Sequence, residues 1–189
     1  MSFLNSKKTQ NKPIQFAVTF LVLFLLFYYA NLWFFSRTNP GSPHFNAFLA
    51  QNFNYIRGLR WLLFVGTSTL LKWLGYSVVY NNYYLLVAGH STIQVVYSCL
   101  GLGVLSFFAA FVIAYPKPIK SKLIVFFAGV FIIEFLNIIR FAAIALYGNK
   151  ANQLIDHHTL FNIVIYILIS GGLYFWIRPD IAGKPNGAN

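Results

Sequence analysis

Long apolar runs separated by short polar segments constrain this sequence more than any other feature. Each of the four main runs is close to the roughly 20 residues that an α-helix needs to cross the hydrocarbon core of a bilayer. They cover residues 14–35, 93–115, 123–147 and 159–177. The chain is therefore predicted to be an integral membrane protein that crosses the bilayer several times.

A fifth apolar run, residues 59–74, is barely long enough to span and carries Arg60 and Lys72. A helix that lies in the membrane interface fits this run as well as a spanning helix does. We predict an all-α membrane protein, a multi-pass helical bundle with about four transmembrane helices and an interfacial helix. A count of about five or six spans is the alternative.

The composition agrees with a membrane protein and argues against a soluble one. Hydrophobic residues make up 58% of the chain and charged residues 9%, whereas a soluble domain has about 25% charged residues. The 14 Lys and Arg outnumber the 3 Asp and Glu, and they lie mainly in short stretches between the apolar runs. No basic face on a soluble fold and no recognition motif accompany this charge, so no nucleic-acid partner is predicted.

The segments between the runs predict the domain organisation. Residues 75–96 combine β-branched and aromatic residues with turn residues, which indicates extended structure or a hairpin. Residues 148–158 form a polar loop. We predict one integral membrane domain over residues 1–182 and a disordered polar tail over residues 183–189. The first run is too long for the apolar part of a signal peptide and no small-residue cleavage site follows it, so it is predicted to remain as a helix.

The positions of the basic residues predict the orientation, because cytoplasmic loops are rich in Lys and Arg. Basic residues cluster before the first run, in the turn at residues 116–122 and after the last run. Both termini and this turn are therefore expected in the cytoplasm, and residues 75–96 and 148–158 outside, in a cell (inner) membrane. Zero crossings between residues 36 and 96 is the simplest solution, which favours the interfacial reading of residues 59–74. Three arginines then lie outside, a departure from the rule: Arg37, Arg57 and Arg60.

Three chemically suggestive residues reach a similar depth in this topology. With a helical rise of about 1.5 Å per residue, Cys99 lies roughly 26 Å above the inner turn and Arg140 roughly 27 Å. His158 lies roughly 30 Å above the inner end of the last run. The hydrocarbon core is about 30 Å thick, so all three are expected near the outer face.

Together these residue types are the parts of a cysteine acyl-transfer site. A thiolate is a good nucleophile, a histidine accepts and returns a proton, and an arginine stabilises an oxyanion or holds a carboxylate. Asn137 lies three residues before Arg140 and on the same side of its helix, where it can hydrogen-bond into the site. Arg140 is a functional candidate by default because a charge within a membrane helix is costly.

Structural readings of the same residues stay open. Cys99 is the sole cysteine, which excludes an internal disulfide, and a lone cysteine is more often packing than chemistry. Arg140 can extend its guanidinium to the outer interface, and His157 and His158 fit simple loop residues. A metal site of His90, His157 and His158 has no spacing motif to support it, so no metal is predicted.

Three short blocks are similar to the exosortase/archaeosortase family, multi-pass membrane cysteine transpeptidases. Residues 97–102 (Tyr-Ser-Cys-Leu-Gly-Leu) resemble its Cys block, residues 137–141 (Asn-Ile-Ile-Arg-Phe) its Asn-x-x-Arg block, and residues 158–162 (His-Thr-Leu-Phe-Asn) its His-x-x-x-Gly block at the start of a helix. The resemblance covers residues 70–176. The chain departs from the family pattern with Leu100-Gly101 for Ser-Gly, with Asn162 for Gly, and in its short length.

The resemblance implies a specific chemistry and a specific substrate class. The substrate is a membrane protein that ends in a short recognition motif, a transmembrane helix and a basic tail. Cys99 attacks a peptide bond at the outer face, Arg140 stabilises the oxyanion or positions the carbonyl, and His158 acts as acid and base. The thioester passes to an acceptor amine or to water. No cofactor is implied, and His157, Asn137 and Asn162 are the expected supporting residues.

Two other functions stay open from the sequence. One is a non-enzymatic membrane component, either a scaffold or a small transporter of a surface-polymer assembly system, in which Glu134 and Arg140 pair with other helices. The other is an acyl-transfer enzyme that acts on lipid or sugar at the same site.

Overall fold

The computed structural model describes the backbone of residues 3–90, 92–94, 96–148 and 157–182, and the side chains of residues 13–90, 92–94, 96–148 and 163–178. Two compact units divide the chain, Met1–Lys150 and Ala151–Asn189. The predicted loop at residues 148–158, except for its ends, and the predicted tail at 183–189 lie outside the described residues. The single domain over residues 1–182 stays a prediction.

Helices make up most of the first unit. In chain order they are α1 (Phe3–Thr38), α2 (Ala47–Asn52), α3 (Tyr55–Trp73), α4 (Leu102–Ala114) and α5 (Ile119–Tyr147). A short 3-10 helix, Tyr97–Leu100, precedes α4. The second unit is described by one helix, α6 (His157–Ala182).

Among the residues that the structure describes, two helices are long and apolar enough to cross a membrane. They are the part of α1 from Pro13 to Thr38, with a mean hydropathy of 2.0, and α5, with a mean hydropathy of 2.2. Both expose large apolar side chains, among them Leu21, Leu26 and Phe131. Such surfaces are unfavourable in water and suit a lipid surround. The helical membrane architecture therefore agrees with the prediction.

The predicted count of four spans is not confirmed. The described apolar part of α6, Ile163–Arg178, is shorter than the spanning helices, and so is α4. With 13 residues, α4 rises only about 20 Å, which is less than the thickness of the hydrocarbon core.

The helix α3 is amphipathic, as an interfacial helix should be. Its buried residues follow helical spacing along one face: Ile56, Arg60, Leu63, Phe64, Thr67, Ser68 and Leu71. Its opposite face carries Arg57, Trp61 and Trp73. Although it has 19 residues, it is not among the helices apolar enough to span. This agrees with the interfacial reading.

The segment predicted to be extended forms a three-stranded antiparallel sheet. Its strands, in spatial order, are β1 (Val78–Tyr80), β2 (Tyr84–Val87) and β3 (Thr92–Gln94). Val78 pairs with Val87, and Leu85 pairs with Ile93. The Asn81 side chain closes the first turn by accepting hydrogen bonds from the backbone N–H groups of Tyr83 and Tyr84, both at 2.8 Å. The all-α description is thus incomplete, because this small sheet accompanies the helices.

The apolar run at residues 93–115 is helical only in its second part. β3 and the 3-10 helix take up its beginning, and α4 starts at Leu102. It ends at Ala114, where Tyr115 turns to an extended conformation before Pro116, as the proline ring requires. The expectation of one helix through Cys99 is therefore wrong, and so is the height of Cys99 calculated from a helical rise.

One hydrophobic core joins α3, the sheet, the 3-10 helix and the second half of α5. It includes Phe64, Leu85, Cys99, Leu100 and Phe141. This core brings the Cys block and the end of α5 into one packed cluster.

Candidate active site

Cys99 lies in the 3-10 helix between β3 and α4. Its backbone N–H donates to the carbonyl oxygen of Val96 at 3.0 Å, and the residue is 4% exposed. Two residues later, Gly101 has a φ of 69° and caps the N-terminus of α4. The Cys99 side chain is thus carried by the short 3-10 helix directly before the N-terminus of α4, and the backbone of this turn fixes its position.

Gly101 connects this turn to α5. A Cβ atom on Gly101 would overlap Nδ2 of the Asn137 side chain, and its positive φ is strained for any other residue. Glycine is therefore required twice, by conformation and by space. This close approach joins the block around Cys99 to the block around Arg140 in the fold.

Arg140 and Asn137 are both 1% exposed and lie on the buried face of α5. An arginine that extends to the membrane interface keeps its head accessible. The interfacial alternative for Arg140 is therefore wrong. A guanidinium enclosed in an apolar helix is costly, and the catalytic role of Arg140 stays a prediction.

The model of one protein family matches residues 11–175, a stretch that contains all three sequence blocks. That family is described as transmembrane exosortase. This chain belongs to the transmembrane exosortase family. The resemblance read from the three blocks is thereby confirmed. No curated protein and no solved structure matches the chain.

Several buried polar atoms of this exosortase find no hydrogen-bond partner among the described residues. Among them are the Tyr97 hydroxyl and Thr67 Oγ1. Buried polar groups without partners are costly and uncommon. These atoms lie on the 3-10 helix and α3, which pack together around Cys99 in the hydrophobic core.

Tyr97 was not singled out from the sequence, although it lies two residues before Cys99. Its ring packs edge-on against Phe35, with centroids 5.1 Å apart. Burial raises the pKa of Tyr97 to about 12, so its phenol stays protonated near neutral pH and remains a hydrogen-bond donor. The sequence contains no signal for this buried hydrogen-bond donor, because aromatic residues are common throughout the apolar runs.

The backbone agrees with the predicted position of the His block, because α6 begins at His157 and so has His158 in its first turn. The side chains of His157, His158 and Asn162 lie outside the described residues. Their roles, and the choice of His158 over His157 as the base, stay predictions.

His90 contacts the C-terminal end of α5. A ring nitrogen, Nδ1, lies 3.2 Å from the carbonyl oxygen of Leu146 and donates to it. The structure contains no group of three metal-ligating side chains among the residues it describes. The side chains of His157 and His158 lie outside the residues searched, so the three-histidine arrangement is not tested.

Replacing Gly101 by alanine is expected to destabilise the exosortase by about 2–5 kcal/mol. The strained φ costs about 1–2 kcal/mol and overpacking against Asn137 about 1–3 kcal/mol. Thermal unfolding of the detergent-solubilised protein measures the effect. Gly103→Ala is the matched control, because its Cβ would meet Tyr28 at an ordinary 3.7 Å. Equal loss in both variants would contradict the required contact with Asn137.

Proposed function

We propose that this exosortase is a membrane cysteine transpeptidase that cleaves the C-terminal sorting signal of exported proteins. Its substrates end in a recognition motif, a transmembrane helix and a basic tail. The site faces the outside of the cell (inner) membrane, and both termini lie in the cytoplasm. The observation that carries the proposal is the packing of Gly101 against Asn137, which puts the nucleophile's turn beside the helix of the buried Arg140.

The first step forms a thioester. The Cys99 sulfur attacks the carbonyl carbon of the scissile peptide bond, and Arg140 stabilises the negative charge on the oxygen. His158 takes the thiol proton and gives it to the departing amine as the C–N bond breaks. The amine product is the transmembrane helix of the substrate with its tail.

The second step releases the sorted protein. An acceptor amine, or water, attacks the thioester carbon, His158 removes its proton, and the C–S bond breaks to restore the Cys99 thiol. Transfer to an amine makes the enzyme a transpeptidase, and transfer to water makes it a peptidase. None of these bond changes requires a redox cofactor.

Trapping the acyl group on Cys99 tests this proposal. In membranes that contain a tagged substrate, we expect an adduct on the peptide around Cys99 that hydroxylamine removes. Its mass should equal the substrate cut after its recognition motif. An adduct with the mass of a lipid acyl group or a sugar would instead support acyl transfer to those molecules. No adduct, with intact substrate present, would favour the scaffold function.

A further inference from the structure

A cavity of about 430 Å³ opens between the first turns of α3 and the β1–β2 hairpin. Its volume is within the range of small-ligand sites. Its lining combines amide and guanidinium groups with aromatic rings: Asn54, Arg57, Gly58, Trp61, Phe64, Tyr80, Asn81 and Asn82. The proposed transpeptidase chemistry uses none of these residues.

The cavity is electropositive. Arg57 contributes a guanidinium, and no acidic residue is in the lining. The side chain of Arg57 has no hydrogen-bond or ionic partner among the described residues, and its backbone N–H is capped by Asn54 Oδ1 at 2.9 Å. The cavity also lies at the N-terminus of α3, where the helix dipole favours an anion.

A second arginine supports the wall of the cavity. Arg60 is 7% exposed, and its Nη1 donates to the backbone oxygen of Asn82 at 3.2 Å. Its guanidinium carbon lies 4.9 Å from the centre of the Tyr83 ring. Nε of Arg60 is buried and has no partner among the described residues. A buried arginine without a carboxylate partner adds to the positive potential beside the cavity.

The surroundings of the cavity fit the polar boundary of a bilayer. Trp61 is 60% exposed and Trp73, near the other end of α3, is 87% exposed. Exposed tryptophans and basic residues on an amphipathic helix are typical of helices that lie at lipid headgroup level. An anion that reaches this cavity is therefore expected to come from the headgroup region or from the adjoining water.

The cavity is separate from the site at Cys99. Phe64 lines it, and the ring of Phe64 packs edge-on against Phe141, with centroids 6.5 Å apart. This aromatic layer divides the cavity from the part of α5 that carries Arg140.

From these features, we propose that the cavity is a phosphate-binding site that holds the phosphate of a lipid headgroup or of a soluble phosphate ester. Arg57 provides the charge-assisted hydrogen bonds, and the asparagine side chains and Trp61 surround the attached group. The site is independent of the proposed peptide cleavage.

Native mass spectrometry of the detergent-solubilised full chain tests the site. The probes are phosphatidylglycerol, phosphatidylcholine and inorganic phosphate. Arg57→Gln is expected to weaken phosphatidylglycerol retention by about 10-fold to 100-fold, as loss of a hydrogen bond to a charged group predicts. The matched control is Arg37→Gln, which removes an arginine that packs 5.3 Å from the Trp33 ring and does not line the cavity. Gly58→Leu, at a position with open space around the Cβ, should block the cavity without removing charge.

The outcomes separate the sources of phosphate and decide the proposal. Competition by inorganic phosphate against phosphatidylglycerol indicates a site for phosphate in general. Retention of the lipid despite inorganic phosphate indicates a headgroup site. Either competition result supports the proposal if Arg57→Gln and Gly58→Leu weaken the binding of phosphatidylglycerol and Arg37→Gln does not. Wild-type retention by Arg57→Gln, or equal loss in Arg37→Gln, overturns it.

Discussion

Replacing Cys99 by alanine is expected to abolish cleavage of a C-terminally tagged substrate in cells. The sulfur is the proposed attacking atom, and no other cysteine in the chain can take its place. Loss of a catalytic nucleophile lowers kcat by about 10⁴-fold or more. The measurement is the ratio of cleaved to intact substrate on an immunoblot of membrane fractions.

The matched control for this change is Ser98→Ala, which alters the exposed neighbour of Cys99 in the same 3-10 helix. Equal amounts of both variants in the membrane show that folding is not the cause. Unchanged cleavage in Cys99→Ala would end the catalytic assignment and leave the scaffold function. Equal loss in Ser98→Ala would attribute the effect to the turn rather than to the sulfur.

Replacing Arg140 by lysine is expected to lower the rate of cleavage by about 10²-fold to 10³-fold, the usual loss when an oxyanion donor is removed. Lysine keeps the positive charge and lacks the planar arrangement of donors of a guanidinium. A role in charge balance alone would survive this change, and a role in orienting several hydrogen bonds would not. The measurement is the rate of substrate cleavage in proteoliposomes.

The control is Lys72→Arg, which exchanges the same two residue types in the opposite direction at an exposed position at the end of α3. It is expected to leave the rate of cleavage unchanged. The thermal midpoint of Arg140→Lys should be measured beside its activity. If Arg140→Lys loses activity but keeps the thermal unfolding midpoint of the wild type, the catalytic role is supported. A lost midpoint with a normal rate per folded molecule would make Arg140 a structural residue.

The sequence was most informative about α1 and α5. Their apolar runs are long enough that hydropathy alone predicts membrane helices, since every backbone polar group must be satisfied in lipid. The charges Arg60 and Lys72 led to an interfacial helix, and α3 is amphipathic. Yet Arg60 is buried against the hairpin, because the hairpin supplies a carbonyl and an aromatic ring that local sequence does not reveal.

The run at residues 93–115 shows the limit of hydropathy. A continuous apolar stretch does not distinguish helix from strand, and β3 pairs with β2 in this stretch, before the helix begins. The heights of Cys99 and Arg140 suggested a shared site although the helical rise did not apply at Cys99. The structure instead connects the two blocks through the close approach of Gly101 to Asn137.

The sequence by itself determined that the chain is a helical membrane protein of the exosortase type, because length, apolarity and three short blocks are local properties. Only the tertiary structure decided how the Cys block and the Asn-x-x-Arg block meet. Gly101 approaches Asn137, Arg140 is enclosed rather than exposed, and an arginine-lined cavity forms between α3 and a hairpin. These features depend on contacts between residues distant in sequence, and hydrophobic patterning specifies which face is buried but not which partner covers it.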